Sequence, residues 1–286
     1  MLILTTVDEI NRFISSCRNL SKTIGFVPTM GALHQGHLEL VKKSIKENNI
    51  TVCSVFVNPT QFNDKSDLEK YPRTLDKDCT LLRTIKTDVV FAPTVAEIYP
   101  SNIEVVVPEL GGLDLVMEGE FRPGHFEGMA QVVKRLLDIV KPDRLYMGQK
   151  DFQQFTIVQY MLKKLQSEVK LVILKTIREN NGLAMSSRNQ RLSEEMKNKA
   201  GLIYRTLTTV KKQTGKKTPE MIAEYAKKRL SKAGFEVEYF AIVDGNSLKI
   251  VHDFNKHSYV VACVALWAEG VRLIDNMILK NVKKFD

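Results

Sequence analysis

The segment PTMGALHQGH, residues 28–37, sets two imidazoles, His34 and His37, three positions apart beside Gly31 and Gly36. On a first helical turn that spacing brings their Cβ atoms to about 5–6 Å on one face. The glycines permit close backbone approach after Met30, and a helix N-terminus offers N–H groups and a positive dipole end to an anion. Two imidazoles there can donate to phosphate oxygens and meet charge that develops during a transfer reaction. A zinc pair is the poorer reading, since no third Cys or His stands close in sequence, and the dinucleotide fingerprint GxGxxG is absent from this segment. Phosphate handling is the chemistry these residues suit.

Further along the chain lie groups that fit the same purpose. The amides of Asn58 and Gln61 in FVNPTQF can bind a hydroxyl or carboxylate without adding charge, although Asn58 alone also reads as an ordinary turn former. Gln154 read alone is a polar residue on an exposed helical turn. Gly148-Gln149-Lys150-Asp151 follows a strand-like run, so Lys150 projects from a strand end as a mobile point charge, and Asp151 suits either a ribose hydroxyl or a helix N-cap. In GLAMSSRN, Ser186 and Ser187 supply two hydroxyl donors, and Arg188 can fork across two phosphate oxygens. Arg122 and His125 occupy a Pro/Gly-rich loop that is either structural or a pocket cover.

The elements that must position these groups alternate. Residues 23–29, 50–57, 88–93, 144–148 and 169–177 read as strands; 75–85, 131–140 and 152–165 read as helices. This grammar specifies an α/β fold, a Rossmann-like parallel sheet with helices on both faces, whose ligands bind at the carboxyl ends of the strands. After Ile177 it changes. A polar loop leads to a helix from near Ser193 and a second from Thr218-Pro219 to Gly234, followed by strands at 236–243 and 258–267, a smaller C-terminal α+β module. The expected domains are 1–177 and 178–286.

The composition agrees with a globular chain: 286 residues, 44% apolar and 26% charged. The four cysteines show no CxxC or zinc spacing and read as reduced thiols. The longest apolar run, Tyr259 to Ala268, is ten residues, against the ~20 of a membrane helix. The opening MLILTTVDE lacks a basic n-region, so the expected compartment is the cytoplasm. The net charge of +9 is concentrated after Lys197, where 17 Lys/Arg face 9 Asp/Glu. Aromatics are not interleaved with those lysines, which favours solvated helix faces over nucleic-acid binding.

The His34–His37 segment resembles the HxGH signature of the nucleotidyltransferase superfamily. With FVNPTQF, YPRTLDKD (71–78), FRPGHFEGM (121–129), GQKDFQQ (148–154), GLAMSSRN (182–189) and RLIDN (272–276), the chain resembles the pantothenate synthetases, or pantoate–beta-alanine ligases, in motif order and spacing over nearly its whole length. The resemblance implies ATP-dependent joining of pantoate to beta-alanine through a pantoyl adenylate, with AMP and pyrophosphate released. It implies ATP binding by Met30, Gly31, His34, His37 and Gly148 to Asp151, and by Ile177, Met185, Ser186, Ser187 and Arg188. The catalytic group would be His34, His37, Lys150, Ser186, Ser187 and Arg188. Gln61, Gln154, Asn58 and Arg122 would bind pantoate or beta-alanine. Mg²⁺ would be held mainly by the ATP phosphates, with no dedicated metal ligands and Asp76 and Asp78 as candidate outer-shell contacts; a homodimer is implied. Two positions depart from the family pattern: Gln149 stands where Glu is expected, and Asn181 where Asp is. The amide oxygen of Gln149 can accept from a ribose hydroxyl as a carboxylate would. The alternatives are an adenylyltransferase for another small acid or a mononucleotide and, from a different class, an RNA-binding relative of the synthetases.

Overall fold

The computed structural model describes residues 1–63 and 65–281, which divide into two units. The first comprises Met1–Leu115, Gly119–Gly148 and Ile157–Leu174; the second comprises Val116–Glu118, Gln149–Thr156 and the described residues from Lys175 onward. The strands of the first unit are β1 (Leu2–Leu4), β2 (Ile24–Thr29), β3 (Ile50–Val55), β4 (Val89–Phe91), β5 (Arg144–Gly148) and β6 (Lys170–Leu174). The helices are α1 (Val7–Asn19), α2 (Gln35–Glu47), α3 (Lys65–Lys70), α4 (Leu75–Thr84), α5 (Val95–Ile98), α6 (Glu118–Phe121), α7 (His125–Val140) and α8 (Phe152–Lys164). Only the first residue of α6 and the opening turn of α8 belong to the second unit.

Among the described residues the large sheet has six strands in the order β1-β4-β3-β2-β5-β6, every pair parallel. Val27, Cys53, Val90 and Tyr146 face a core shared with Leu38 and Val41 of α2 and Cys79 and Leu82 of α4. The alternate residues Phe26, Val52, Val89 and Leu145 are fully buried on the other face, where α7 meets β2 and α1 packs on α7. β2 and β5 are neighbours whose following strands lie on opposite sides, which makes their carboxyl ends a topological switch point, the usual ligand crevice of such sheets. PTMGALHQGH leaves the sheet there.

The second unit contains α9 (Glu194–Gln213), α10 (Pro219–Lys232) and the antiparallel strands β7 (Glu236–Asp244), β8 (Tyr259–Ala268) and β9 (Val271–Asn281), in the order β7-β8-β9. Its core joins Ile203 and Leu207 of α9 and Ile222 and Leu230 of α10 to Ile242 and Val264 of the sheet. Thr218 caps α10 with Pro219 in its first turn, and Ser193 caps α9, the start signals read from the sequence.

Four elements in particular depart from the sequence reading. β1 and α1 precede the first expected strand, with Thr6 and Glu9 forming a capping box. α7 begins at His125, six residues before its apolar periodicity becomes regular. RLIDN lies inside an eleven-residue strand, β9, whose charged and amide residues obscured the pattern.

Candidate active site

The loop between β2 and α2 is held by side chains from outside it. Gly31 has φ +83° and Ala32 φ +49°, so two successive residues are left-handed. A Cβ on Gly31 would come within 3.1 Å of both Asp78 Oδ2 and Val55 Cγ1, so glycine fits this position for conformation and for space. Asp78, buried on α4, accepts the Ala32 N–H at Oδ2 (3.0 Å) and the Leu33 N–H at Oδ1 (2.8 Å), while the Thr74 hydroxyl donates to Oδ2 (3.2 Å). Both carboxylate oxygens are thus committed to shaping the loop, which gives this outer-shell metal candidate a structural role. Sequence reasoning missed that role because the contact spans 45 residues and leaves no local pattern.

His34 is the N-cap of α2. The Gly36 N–H donates to His34 Nδ1 (3.1 Å), and the His34 N–H donates to His37 Nδ1 (3.3 Å), a capping box made by two imidazoles. A neutral ring that accepts at Nδ1 carries its proton at Nε2, so the backbone sets the same tautomer on both histidines. The ring centroids are 4.0 Å apart with planes at 34°. Two Nε2–H donors therefore sit side by side at the positive end of a 13-residue helix.

The second cluster of the first unit is built on Asn58, 1% exposed. Its Oδ1 accepts from the hydroxyls of Tyr99 (3.0 Å) and Thr60 (3.1 Å), and its Nδ2 donates to Gln61 Oε1 (3.2 Å) and to the Gly128 carbonyl (3.1 Å). Gln61 Nε2 in turn lies 3.1 Å from Met30 Sδ, linking this cluster to the β2 loop. Arg122 can only donate, so its Nη1, 3.2 Å from His125 Nε2, marks that nitrogen as acceptor; His125 Nδ1–H then donates to the Gln61 carbonyl (2.8 Å). His125 is buried and Arg122 half-buried. α7 approaches this turn backbone to backbone: a Cβ on Gly128 would fall 2.2 Å from Thr60 O and 2.8 Å from Gln61 N.

In the second unit, Lys150 Nζ lies 3.7 Å from Asp151 Oδ1, and the Asp151 carbonyl accepts the Phe155 N–H to open α8. Half-buried Gln154 sits in that first turn. Its neighbour Gln153 is buried, accepting the Glu118 N–H at Oε1 and donating to the Val116 carbonyl. Residues 177–185 form a hairpin in which the Met185 N–H donates to Ile177 O and Arg178 bridges Ala184. Asn181 accepts the Leu183 N–H and also donates to Lys197 O (2.7 Å), a bond an aspartate could not make. Ser186 caps the 3-10 turn Ser187–Arg191 by accepting the Arg188 N–H, and buried Asn189 donates to Glu179 and to Ala184 O. The expected residues therefore divide. Met30, Gly31, His34, His37, Asn58, Gln61, Arg122 and Gly148 are in the first unit; Gln149, Lys150, Asp151, Gln154, Ile177, Met185, Ser186, Ser187 and Arg188 are in the second.

Nucleophilic thiol chemistry has no support in this geometry. All four cysteines are buried and unbridged; burial pushes the Cys53 thiol up to about 12 and raises those of Cys79 and Cys263. Among the described residues no group of three or more His, Cys, Asp or Glu could hold a metal ion, and no helix is long and apolar enough to cross a membrane.

A parallel α/β sheet that turns a tautomer-matched histidine pair out of its switch point has the build of an HxGH nucleotidyltransferase. Comparison with known proteins narrows the class. The pantoate-beta-alanine ligase family profile matches residues 2–278. The pantothenate synthetase of Azobacteroides pseudotrichonymphae is 49% identical over 282 residues, covering 97% of this chain and 99% of the relative; that of Bacteroides fragilis is 46% identical, covering 98% and 100%. The crystal structure of the Thermus thermophilus pantothenate synthetase superposes with a TM-score of 0.90 at 39% identity, covering 98% of this chain and 100% of that one. A Francisella tularensis pantoate-beta-alanine ligase, solved with beta-gamma ATP and beta-alanine, gives 0.81 at 34% identity and covers 98% of both chains. The chain belongs to the pantoate-beta-alanine ligase family, and it condenses pantoate with beta-alanine using ATP.

Two substitutions test how the site is held. Asp78→Ala strands the N–H groups of Ala32 and Leu33, at about 1–3 kcal/mol each, so the melting temperature falls and turnover collapses, while Asp78→Asn, keeping one acceptor, is intermediate. Gly128→Ala drives a methyl into the Thr60–Gln61 backbone, a strain of about 1–3 kcal/mol, and raises KM for pantoate more than KM for ATP in steady-state assays.

Proposed function

We propose that the condensation runs in two half-reactions carried by the residues described above. The pantoate carboxylate attacks the α-phosphorus of ATP, forming a C–O–P bond as the bond to pyrophosphate breaks. The amine of beta-alanine then attacks the activated carbonyl, loses a proton, and displaces AMP to leave pantothenate. Both partners of the first step are anions, so the site must lower their repulsion. His34 and His37 donate from Nε2 to phosphate oxygens, Lys150 supplies a point charge, and Ser186, Ser187 and Arg188 hold non-bridging oxygens. Mg²⁺ would be held mainly by the ATP phosphates, where it would supply positive charge against the repulsion of the two anions. Gln61 and Gln154 orient pantoate, Arg122 faces its carboxylate, and Asn58 acts through Gln61. The carrying observation is the pair of imidazoles 4.0 Å apart, each with Nδ1 accepting a backbone N–H.

The segment 178–286 is assigned the part of a lid that shields the water-sensitive adenylate, since the candidate residues flank its boundary. Solution scattering with and without ATP plus pantoate checks this: a contracted profile is expected, and identical profiles count against it. Family resemblance supports a homodimer, measured by light scattering. Four unbridged buried thiols support a reducing, cytoplasmic setting.

The chemistry is tested by order of release: pyrophosphate appears when pantoate alone is added with ATP, and AMP only after beta-alanine. Pyrophosphate release with other acids but not pantoate would overturn the substrate assignment. His34→Asn and His37→Gln keep the helix cap and remove the Nε2–H donors. Each should melt within a few degrees of the parent and lose about 10²–10³ in kcat, the effect of deleting one transition-state donor.

A further inference from the structure

RLIDN is the motif for which the reaction provides no role, and its last two residues are nearly inaccessible: Asp275 is 4% exposed and Asn276 2%. They are successive residues of β9, so they point to opposite faces of the small sheet. Asp275 lies in the core-facing series with Val271, Leu273 and Met277, where an acid needs a partner.

Each residue reaches a different loop. Asn276 Nδ2 donates to two consecutive carbonyls, Gln149 O and Lys150 O, both at 2.8 Å, and Gln149 Nε2 donates to Asn276 Oδ1 at 3.2 Å. Both donors and the acceptor of one buried amide are therefore spent on the turn that carries Lys150. Asp275 takes Arg178 in a two-pronged ion pair, Nη1 to Oδ2 at 2.6 Å and Nη2 to Oδ1 at 3.0 Å, and also accepts the Asn276 N–H (2.8 Å). Arg178 donates to the Gly182 carbonyl (3.1 Å) and stacks 4.0 Å above the Tyr204 ring, so it spans the hairpin that leads to Ser186, Ser187 and Arg188. Burial, opposed by the Arg178 guanidinium, pushes the Asp275 carboxyl above its ordinary range; the pairing is what makes the buried acid tolerable.

We infer that Asp275 and Asn276 are positioning residues for ATP, one dipeptide on β9 fixing the Lys150 turn and the Ser186–Arg188 loop together. The Lys150 and Arg188 cations act on the triphosphate only at defined distances; the turn at Lys150 lies between β5 and α8, and the Ser186–Arg188 loop has only a short 3-10 turn of its own. This rests on the reading of both loops as ATP-binding.

The test compares Asn276→Ala, Asn276→Asp and Arg178→Lys with Leu279→Ala, a core truncation elsewhere on β9. Melting temperature, KM for ATP, KM for pantoate and calorimetric ATP binding are measured on the full chain. Asn276→Ala should raise KM and Kd for ATP about tenfold, the worth of one or two hydrogen bonds, with a smaller change for pantoate. Asn276→Asp should do worse, because it turns an acceptor on two carbonyls. Arg178→Lys keeps the charge and loses the fork, so it reports on the second loop if the Asn276 variants fail to fold. Leu279→Ala should lower the melting temperature and leave both KM values within about twofold, as expected where packing alone is lost. Folded Asn276→Ala or Arg178→Lys protein that binds ATP normally, while Lys150→Ala does not, overturns the inference. Normal ATP binding by Lys150→Ala and Arg188→Ala instead overturns the reading beneath it and takes this inference with it.

Discussion

A loop that binds phosphate must offer its own N–H groups and cations to the ligand, so it cannot also use them to hold itself in shape. The structure answers this constraint the same way at each candidate loop, with a buried polar side chain from a distant segment. Asp78 holds Ala32 and Leu33, Asn58 holds the Gln61 turn, Asn276 holds Gln149 and Lys150, and Asp275 acts through Arg178 on the hairpin before Ser186. Each of these four is at most 4% exposed. Their hydrogen bonds form where water does not compete, which makes them rigid and makes their loss expensive.

The same economy governs the histidines. His34 and His37 serve as cap and as capping-box partner, so the bonds that start α2 also determine which nitrogen carries each proton. One arrangement gives helix stability and donor orientation. A serine and a glutamate at these positions would cap the helix equally well, but they would bring a weaker donor and a negative charge to the mouth of β2. Imidazole is the side chain that caps through one ring atom and donates through another.

Legibility in the sequence followed the range of the interactions. The parallel sheet was readable because each buried strand is a short apolar run, and α9 and α10 announce themselves through Ser193 and Thr218-Pro219. The chemistry-bearing residues were readable as motifs, since glycines, histidines and serines at fixed spacing have few other uses. Their supports were not. Asp78 lies 45 residues from the loop it holds, Asn276 lies 126 from Lys150, and a lone acid or amide in a strand or helix looks like surface until its partner is known. β9 was overlooked for the same reason: Arg272, Asp275 and Asn276 break an alternation that would otherwise read as a core strand. An acid flanked by Leu273-Ile274 and Met277-Ile278 was the available signal, because such a residue is buried only with a partner.

Gln149 shows how one such support constrains the residue it meets. Asn276 must turn its nitrogen toward Gln149 O and Lys150 O, because two carbonyls at 2.8 Å cannot face another oxygen. Its Oδ1 then points at position 149, where a side chain that donates completes the contact. Gln149 does so through Nε2. A carboxylate at this position, the residue the family pattern leads one to expect, would meet Oδ1 acceptor to acceptor unless it carried a proton or turned away. The glutamine is therefore no neutral stand-in for glutamate. It completes a chain of hydrogen bonds that begins with two backbone carbonyls, adding one side-chain contact to the two that Asn276 makes with the Lys150 turn.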